Sequence, residues 1–447
     1  MSYAISTDQK KRYKRILSLG LPIVGGMISQ NVINLVDTAM VGSLGDVALA
    51  AVGTGSFIAF MAVSVVMGLS TGVQAIVARR VGEGNTKDVA TALNGALIVA
   101  VISGLILSTL YWLSAETIFT WVNKDPDVLA MGVPYIELRV WTITAVGINM
   151  SFRGFWNGTD RPVLYLKTLV FIHSSNILLN YIFIFGNWGF PAMGTQGAAV
   201  GTTASMFMGC GYYFYLGFKH AKHQGFCMKR CTRPVLRSLL RLTIPNSLQQ
   251  LFFATGYTVL FWIIGQVGTA ETAAANVLVN LMLVAILPSI AFGLASTTLV
   301  GQAMGRSDIE DAYRWGWDVV KVASVILLLL GIAMFVFPRL WLGIFLHNPE
   351  TLELARLPLM VFGAAIAVDG SGMVLMQSLL GAGDNKVVML MSAGTQWLFF
   401  LPAAFIVGPK LGFGLLGIWT VQACYRILLT IFFAMRWRGK VWASIEV

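Results

Sequence analysis

The chain has 447 residues, 57% of them hydrophobic and only 11% charged, against about 25% charged in an ordinary soluble domain. That excludes a water-soluble globular protein and suits a chain solvated by a bilayer, where one spanning helix takes roughly 20 apolar residues. The net charge is +11, but its basic residues cluster in short loops, as membrane topology requires, so nucleic acid is not the expected partner.

The opening segment, MSYAISTDQKKRYKR, is polar and basic, and the apolar run after it is too long for a cleavable signal. Twelve apolar spans follow, near 16–41, 48–79, 89–113, 129–152, 163–186, 194–218, 238–266, 272–303, 315–337, 354–378, 386–408 and 413–436. Continuous runs of this length predict helices, not barrel strands. Lys and Arg gather in alternate loops: 10–15, 79–87, 153–167, 219–241 and 436–440. GSLGD, NKDPD, GNWGFPAMG and GTAE lie in the opposite set. The basic loops fall on one side if each segment spans once, which predicts that both termini are cytoplasmic.

The sequence repeats itself. LGLP at 19–22 matches LTIP at 242–245, and at the same offset of 223 Gly42 and Gly45 meet Gly265 and Gly268. FWNGTDRP at 155–162 resembles LLGAGDNK at 379–386. The expected organisation is all-α: an N-lobe of six helices over 1–218, a basic linker at 219–237, and a C-lobe of six helices over 238–447. Six is even, so both halves keep one orientation, related by an axis along the membrane normal.

Catalytic and nucleotide chemistry find little support. There is no phosphate loop. GFGLLG at 412–417 opens a membrane helix instead of following a strand. His173, His220, His223 and His347 lie in loops or stand isolated, and no nucleophile–His–acid set is apparent. His220, His223, Cys227 and Cys231 share one loop, but their spacing is not that of a structural zinc site and five basic residues surround them. No enzyme, metal or organic cofactor is expected.

The informative residues are acids inside spans. Asp37 sits in the first span, and an intramembrane acid marks an ion or proton path by default. Gln30, Asn34 and Asp37 are four and three apart, hence on one helical face. The fifth span puts Asn176 and Asn180 four apart. Asp37 lies five residues before Gly42, and Asn180 six before Gly186. At about 1.5 Å per residue the two share a depth, with Thr202 of the sixth span nearby. Pro22, with Gly25 and Gly26, predicts a hinge in the first helix. Protonation of Asp37 would bias two arrangements of that helix. Asp369, in the tenth span, is a second candidate, for an ion or a cationic drug, with no cation evident near it in the sequence. The 20 Met and 27 Phe suit a pocket that adapts to lipophilic cations.

The pattern LP…N..D..MVG.LG…LAAVG over 21–53 resembles the multidrug and toxic compound extrusion (MATE) family. So do GFWNGTDRP, GTQGAAVGTTAS and LLGAGDNKVV. The likeness covers the whole chain and draws on its DinF-like and NorM-like branches. It implies two six-helix lobes and cation-coupled export of organic compounds across a bacterial inner membrane by a monomer. Asp37 matches the family's first-helix acid. Asn176, Asn180 and Thr202 match hydrogen-bonding positions of the DinF-like N-lobe, where an Asp is common at the place of Asn180. One acid fewer disfavours sodium and leaves Asp37 to carry protons. Asp369 matches the NorM-like tenth-helix acid, but the Glu of that branch's seventh helix has no counterpart here: Phe253 stands about where it would fall.

The resulting expectation is a proton-coupled multidrug antiporter. Asp37, Asn34, Asn176, Asn180 and Thr202 handle the proton. Gln30, Asp37, Asn176, Asn180 and Asp369 contact drug, and Pro22, Gly25 and Gly26 form the hinge. The rivals are sodium coupling through Asp37 or Asp369 and a flippase for lipid-linked precursors. The flippase reading is weakened because few basic residues (Arg139, Arg426) lie inside spans.

Overall fold

The computed structural model describes residues 7–346 and 348–445; His347 lies outside them. Among the described residues there are no strands. The helices are α1 (Thr7–Gly42), α2 (Asp46–Gly82), α3 (Thr91–Leu113), α4 (Ala115–Val122), α5 (Pro126–Arg139), α6 (Thr142–Gly158), α7 (Pro162–Phe185), α8 (Gly194–His220), α9 (Arg233–Gly265), α10 (Thr269–Gly305), α11 (Ile309–Val336), α12 (Pro338–Gly343), α13 (Pro349–Ala382), α14 (Asn385–Gly394), α15 (Leu401–Phe405) and α16 (Gly414–Arg438). Wide π turns at Thr395–Phe400 and Ile406–Lys410 join α14 and α15 into one helical segment ending at Lys410. Among the described residues, ten segments are long and apolar enough to cross a bilayer. The α5–α6 pair and α8 complete twelve passes.

The α5–α6 break has a local cause. Val140 and Trp141 keep helical dihedrals, but bonding slips to i−3, with Ile143 N donating to Val140 O at 3.0 Å. Side chains also bond the carbonyls at this joint. Thr142 Oγ1 donates to Arg139 O, and Ser108 Oγ donates to Val140 O at 2.8 Å. Such a tightened turn is a common joint inside long helices.

Two compact units emerge, one holding the chain up to Val24 together with Leu251 onward, the other Gly25–Gln250. The dividing points fall inside α1 and α9, close after Pro22 and Pro245, which are equivalent in the 223-residue repeat. In the first unit, the opening half of α1 is clamped to α11. Arg12 binds Asp311 at 2.5 Å and Asp318 at 2.7 Å, and its guanidinium stacks 3.7 Å above the Trp315 ring. In the second unit, the opening half of α9 lies on α2. Gly68 is needed there, because a Cβ would run into Ser247 and the Thr243 carbonyl. Small residues at such crossings let helix backbones approach without a hydrophobic driving force.

Candidate functional site

α7 starts at Pro162, which wastes no donor at a first helical position, and stops at Gly186, whose φ of 73° is the left-handed cap a glycine allows. Between them His173, Asn176 and Asn180 share one face and are buried. Thr202 of α8 gives its hydroxyl hydrogen to Ala198 O at 2.8 Å, which aims its oxygen as an acceptor.

A chain of hydrogen bonds results. Asn176 Nδ2 donates to Thr202 Oγ1 at 3.1 Å. Asn180 Nδ2 donates to Asn176 Oδ1 at 3.4 Å and to Asp37 Oδ1 at 2.9 Å. The four residues chosen from depth and spacing thus form one connected set. Asn180 Oδ1 is buried with no hydrogen-bond partner among the described residues. Buried acceptors are normally satisfied, so a donor is invited at this point, one atom from the Asp37 carboxylate's own partner. Arg139, at the end of α5, is a basic side chain whose charge reaches Asp37. It is tied to Thr142 Oγ1 at 2.9 Å instead of to the acid.

Asn34 and Gln30 are not in that set. Gln30 Nε2 donates to Asn34 Oδ1 at 3.1 Å, and Gln30 Oε1 lies 3.2 Å from His173 Nε2. His173 is therefore not isolated. Its other nitrogen lies 3.0 Å from Ser29 Oγ. The signal was available, since His173 precedes Asn176 by three and Asn180 by seven on one face. Pro22, Gly25 and Gly26 all fall inside the continuous α1, with Gly25 against Leu166 and Gly26 against Tyr165 and Leu169 of α7.

Gly201 of α8 fixes the approach of α7. A Cβ there would collide with Asn180 Oδ1 and stand 3.0 Å from its backbone nitrogen. Gly201→Ala is expected to cost about 1–3 kcal/mol, the usual size of overpacking, and to pull Asn180 from Asp37. Thermal unfolding of the purified variant beside its transport rate checks both; an unchanged Tm with full transport would show that the contact tolerates the methyl.

Asp369 lies in a different setting from the one expected. Arg426 of α16 supplies the missing cation, its Nε donating to Asp369 Oδ1 at 2.5 Å. The pair borders a cavity of about 20 Å³, also lined by Met282, Phe362, Trp419 and Gln422. That is room for roughly one water. The buried acids Asp318 and Asp384 are likewise paired, with Arg12 and Arg436. Asp37 has an amide as its partner instead.

The basic loop gathers no group of three or more His, Cys, Asp or Glu side chains among the described residues. It packs on the start of α3 instead, Asn94 Nδ2 donating to Gly225 O at 2.9 Å and Lys229 O at 2.8 Å.

The MatE family model matches residues 22–182 and 245–406, one match in each repeat. A Thermotoga maritima protein named "Probable multidrug resistance protein NorM" is 28% identical over 418 residues, covering 91% of this chain and 88% of that one. Among solved structures, a MOP superfamily transporter from Pyrococcus furiosus has a TM-score of 0.87 at 20% identity, covering 96% of this chain and 95% of that one. The Vibrio cholerae MATE transporter VcmN, in its bent form, has a TM-score of 0.88 at 18% identity, covering 97% of this chain and 98% of that one. Two family matches in register with the internal repeat, and a shared twelve-helix fold, place the chain in the MatE family, as a MATE/NorM-like membrane transporter and not an enzyme.

Proposed function

We propose that this transporter is a proton-coupled multidrug antiporter of a bacterial inner membrane, with Asp37 as its proton carrier and lipophilic organic cations as its cargo. The observation that carries this reading is the contrast between the two candidate acids. Asp369 already has a fixed counter-ion in Arg426. Asp37 is bound by the neutral Asn180 amide, next to an acceptor with no partner among the described residues. An ionised Asp37 accepts from Asn180 Nδ2. A protonated Asp37 can donate to an amide oxygen. The same amide therefore suits both charge states, as a proton carrier requires. A sodium ion would want several oxygen ligands with more negative charge, and the second acid is absent.

In the mechanism, drug competes with the proton for the α1–α7 polar face. Asn180, backed by Asn176 and Thr202, orients Asp37, Gln30 and Asn34 lie on the same α1 face, and an ionised Asp37 attracts the drug's positive charge in a low dielectric. Protonation removes that attraction, releases drug and biases α1 about Pro22, Gly25 and Gly26, since Pro22 interrupts the backbone bonding there. That a structural neighbour has been solved in a bent form fits a hinged fold. Asp369 takes part through its pair with Arg426 instead of as a free carboxylate. The alternation of basic loops supports termini on the cytoplasmic side, and a monomer suffices for the mechanism.

Everted vesicles test this. An imposed proton gradient is expected to drive transport of a fluorescent lipophilic cation, and an imposed sodium gradient is not. Sodium-only driving would replace the proton reading with its rival.

A further inference from the structure

A second ionisable side chain stands in the polar contact between α1 and α7. Partners on the two helices keep one offset: Gln30 meets His173 and Asp37 meets Asn180, 143 residues apart each time. The helices therefore run parallel in register, and the two rungs lie about 10 Å apart at ~1.5 Å per residue.

His173 is buried, and both ring nitrogens are engaged. Gln30 Nε2 is committed to Asn34 Oδ1. Its oxygen therefore faces the ring, so His173 Nε2 carries hydrogen in either charge state. Nδ1 is the variable atom. The Ser29 hydroxyl has one hydrogen and two acceptors in reach, His173 Nδ1 at 3.0 Å and the Gly26 carbonyl at 2.9 Å. Beside a neutral ring, Ser29 donates to Nδ1. Beside an imidazolium, Nδ1 donates to the Ser29 oxygen, and the hydroxyl hydrogen turns to Gly26. One hydroxyl rotation satisfies both states without moving a heavy atom. A purely structural histidine needs to be satisfied in only one.

We infer that His173 is a second proton-carrying residue of this transporter, linked through Ser29 to the Gly26 carbonyl in the α1 hinge. The inference rests on the proton-coupled reading above. Uptake forms one Nδ1–H bond and adds one positive charge. The proton comes from the aqueous phase and returns to it, and nothing is oxidised or reduced. Of the titratable groups on the neighbouring helices, α1 carries Asp37 one rung away. α7 itself offers Tyr165. α8 offers Cys210, turned to Asn149, and Tyr212 and Tyr213. α6 offers Arg153, held by Ser70 of α2. None of these bonds the ring among the described residues.

The test uses the full chain in lipid. Replacing His220, His223 and His347 by Gln leaves His173 as the single imidazole, read by ring ¹⁵N resonance. Two protonation states are expected over the pH range in which efflux runs, with Ser29→Ala weighted toward the neutral ring, because the bond lost by the imidazolium is charge-assisted and the stronger of the two. A single state throughout, in both forms, overturns the inference. In proteoliposomes, His173→Gln keeps hydrogen-bonding groups but cannot take a proton. It is expected to lose roughly tenfold in proton-driven efflux, the scale of a typical coupling between sites, and to alter the pH profile. Proton-driven efflux with the wild-type pH profile in His173→Gln removes His173 alone. Wild-type efflux driven by sodium and not by protons removes the underlying reading as well.

Discussion

Asp37→Asn is expected to abolish proton-driven export while the protein stays folded. The replacement is isosteric and neutral, and its amide can still bond to Asn180, so the α1–α7 contact survives. What disappears is the exchangeable proton. The loss should be at least roughly 100-fold, the lower end of what removing a positioned proton-transfer group costs. Efflux of a fluorescent lipophilic cation from everted vesicles reads the activity, and the Tm of the purified variant reads the fold. A variant that exports at the wild-type rate under a proton gradient would sink the assignment. One that fails to fold would return Asp37 to the class of structural acids.

The second large effect is on stability. Arg426→Met should destabilise the protein by about 3–5 kcal/mol, because a buried carboxylate loses its ionic partner. Asp369 and Arg426 expose only 6% and 15% of their side chains, so solvent screens the loss little. The double replacement Asp369→Asn with Arg426→Gln removes both charges together and should recover most of that loss. A double variant as unstable as Arg426→Met would show that the guanidinium matters through its packing beside Tyr425 and Trp419, not through the ion pair.

These two acids also show what a sequence can and cannot reveal. Asp37 was legible because its helix is uniform enough to count along. Five residues before Gly42 and six before Gly186 define equal depths, and a 2.9 Å contact between Asp37 and Asn180 follows from equal depth and facing stripes. Twelve passes and the repeat were legible for the same reason, since apolar length and glycine offsets are local or periodic features. Contacts between distant spans were not. Arg426 stands 57 residues from Asp369, and nothing in the sequence says which faces of α13 and α16 meet. His173 has no catalytic neighbour in the sequence, although its three- and seven-residue spacing to Asn176 and Asn180 marks it as part of their stripe. The parting of α1 and α9 between two compact units was hidden as well. Pro22 and Pro245 signal a possible break, but not which body each half joins.

The central claim is that the amide-bound Asp37 exchanges a proton for drug. Proton release answers it most directly. Purified protein in weakly buffered solution, with a pH indicator, is mixed with tetraphenylphosphonium. The wild type is expected to release protons as the cation binds, and Asp37→Asn is expected to bind the cation more weakly and, when saturated, to release fewer. Equal release from both proteins, or binding with no release from the wild type, would contradict the account.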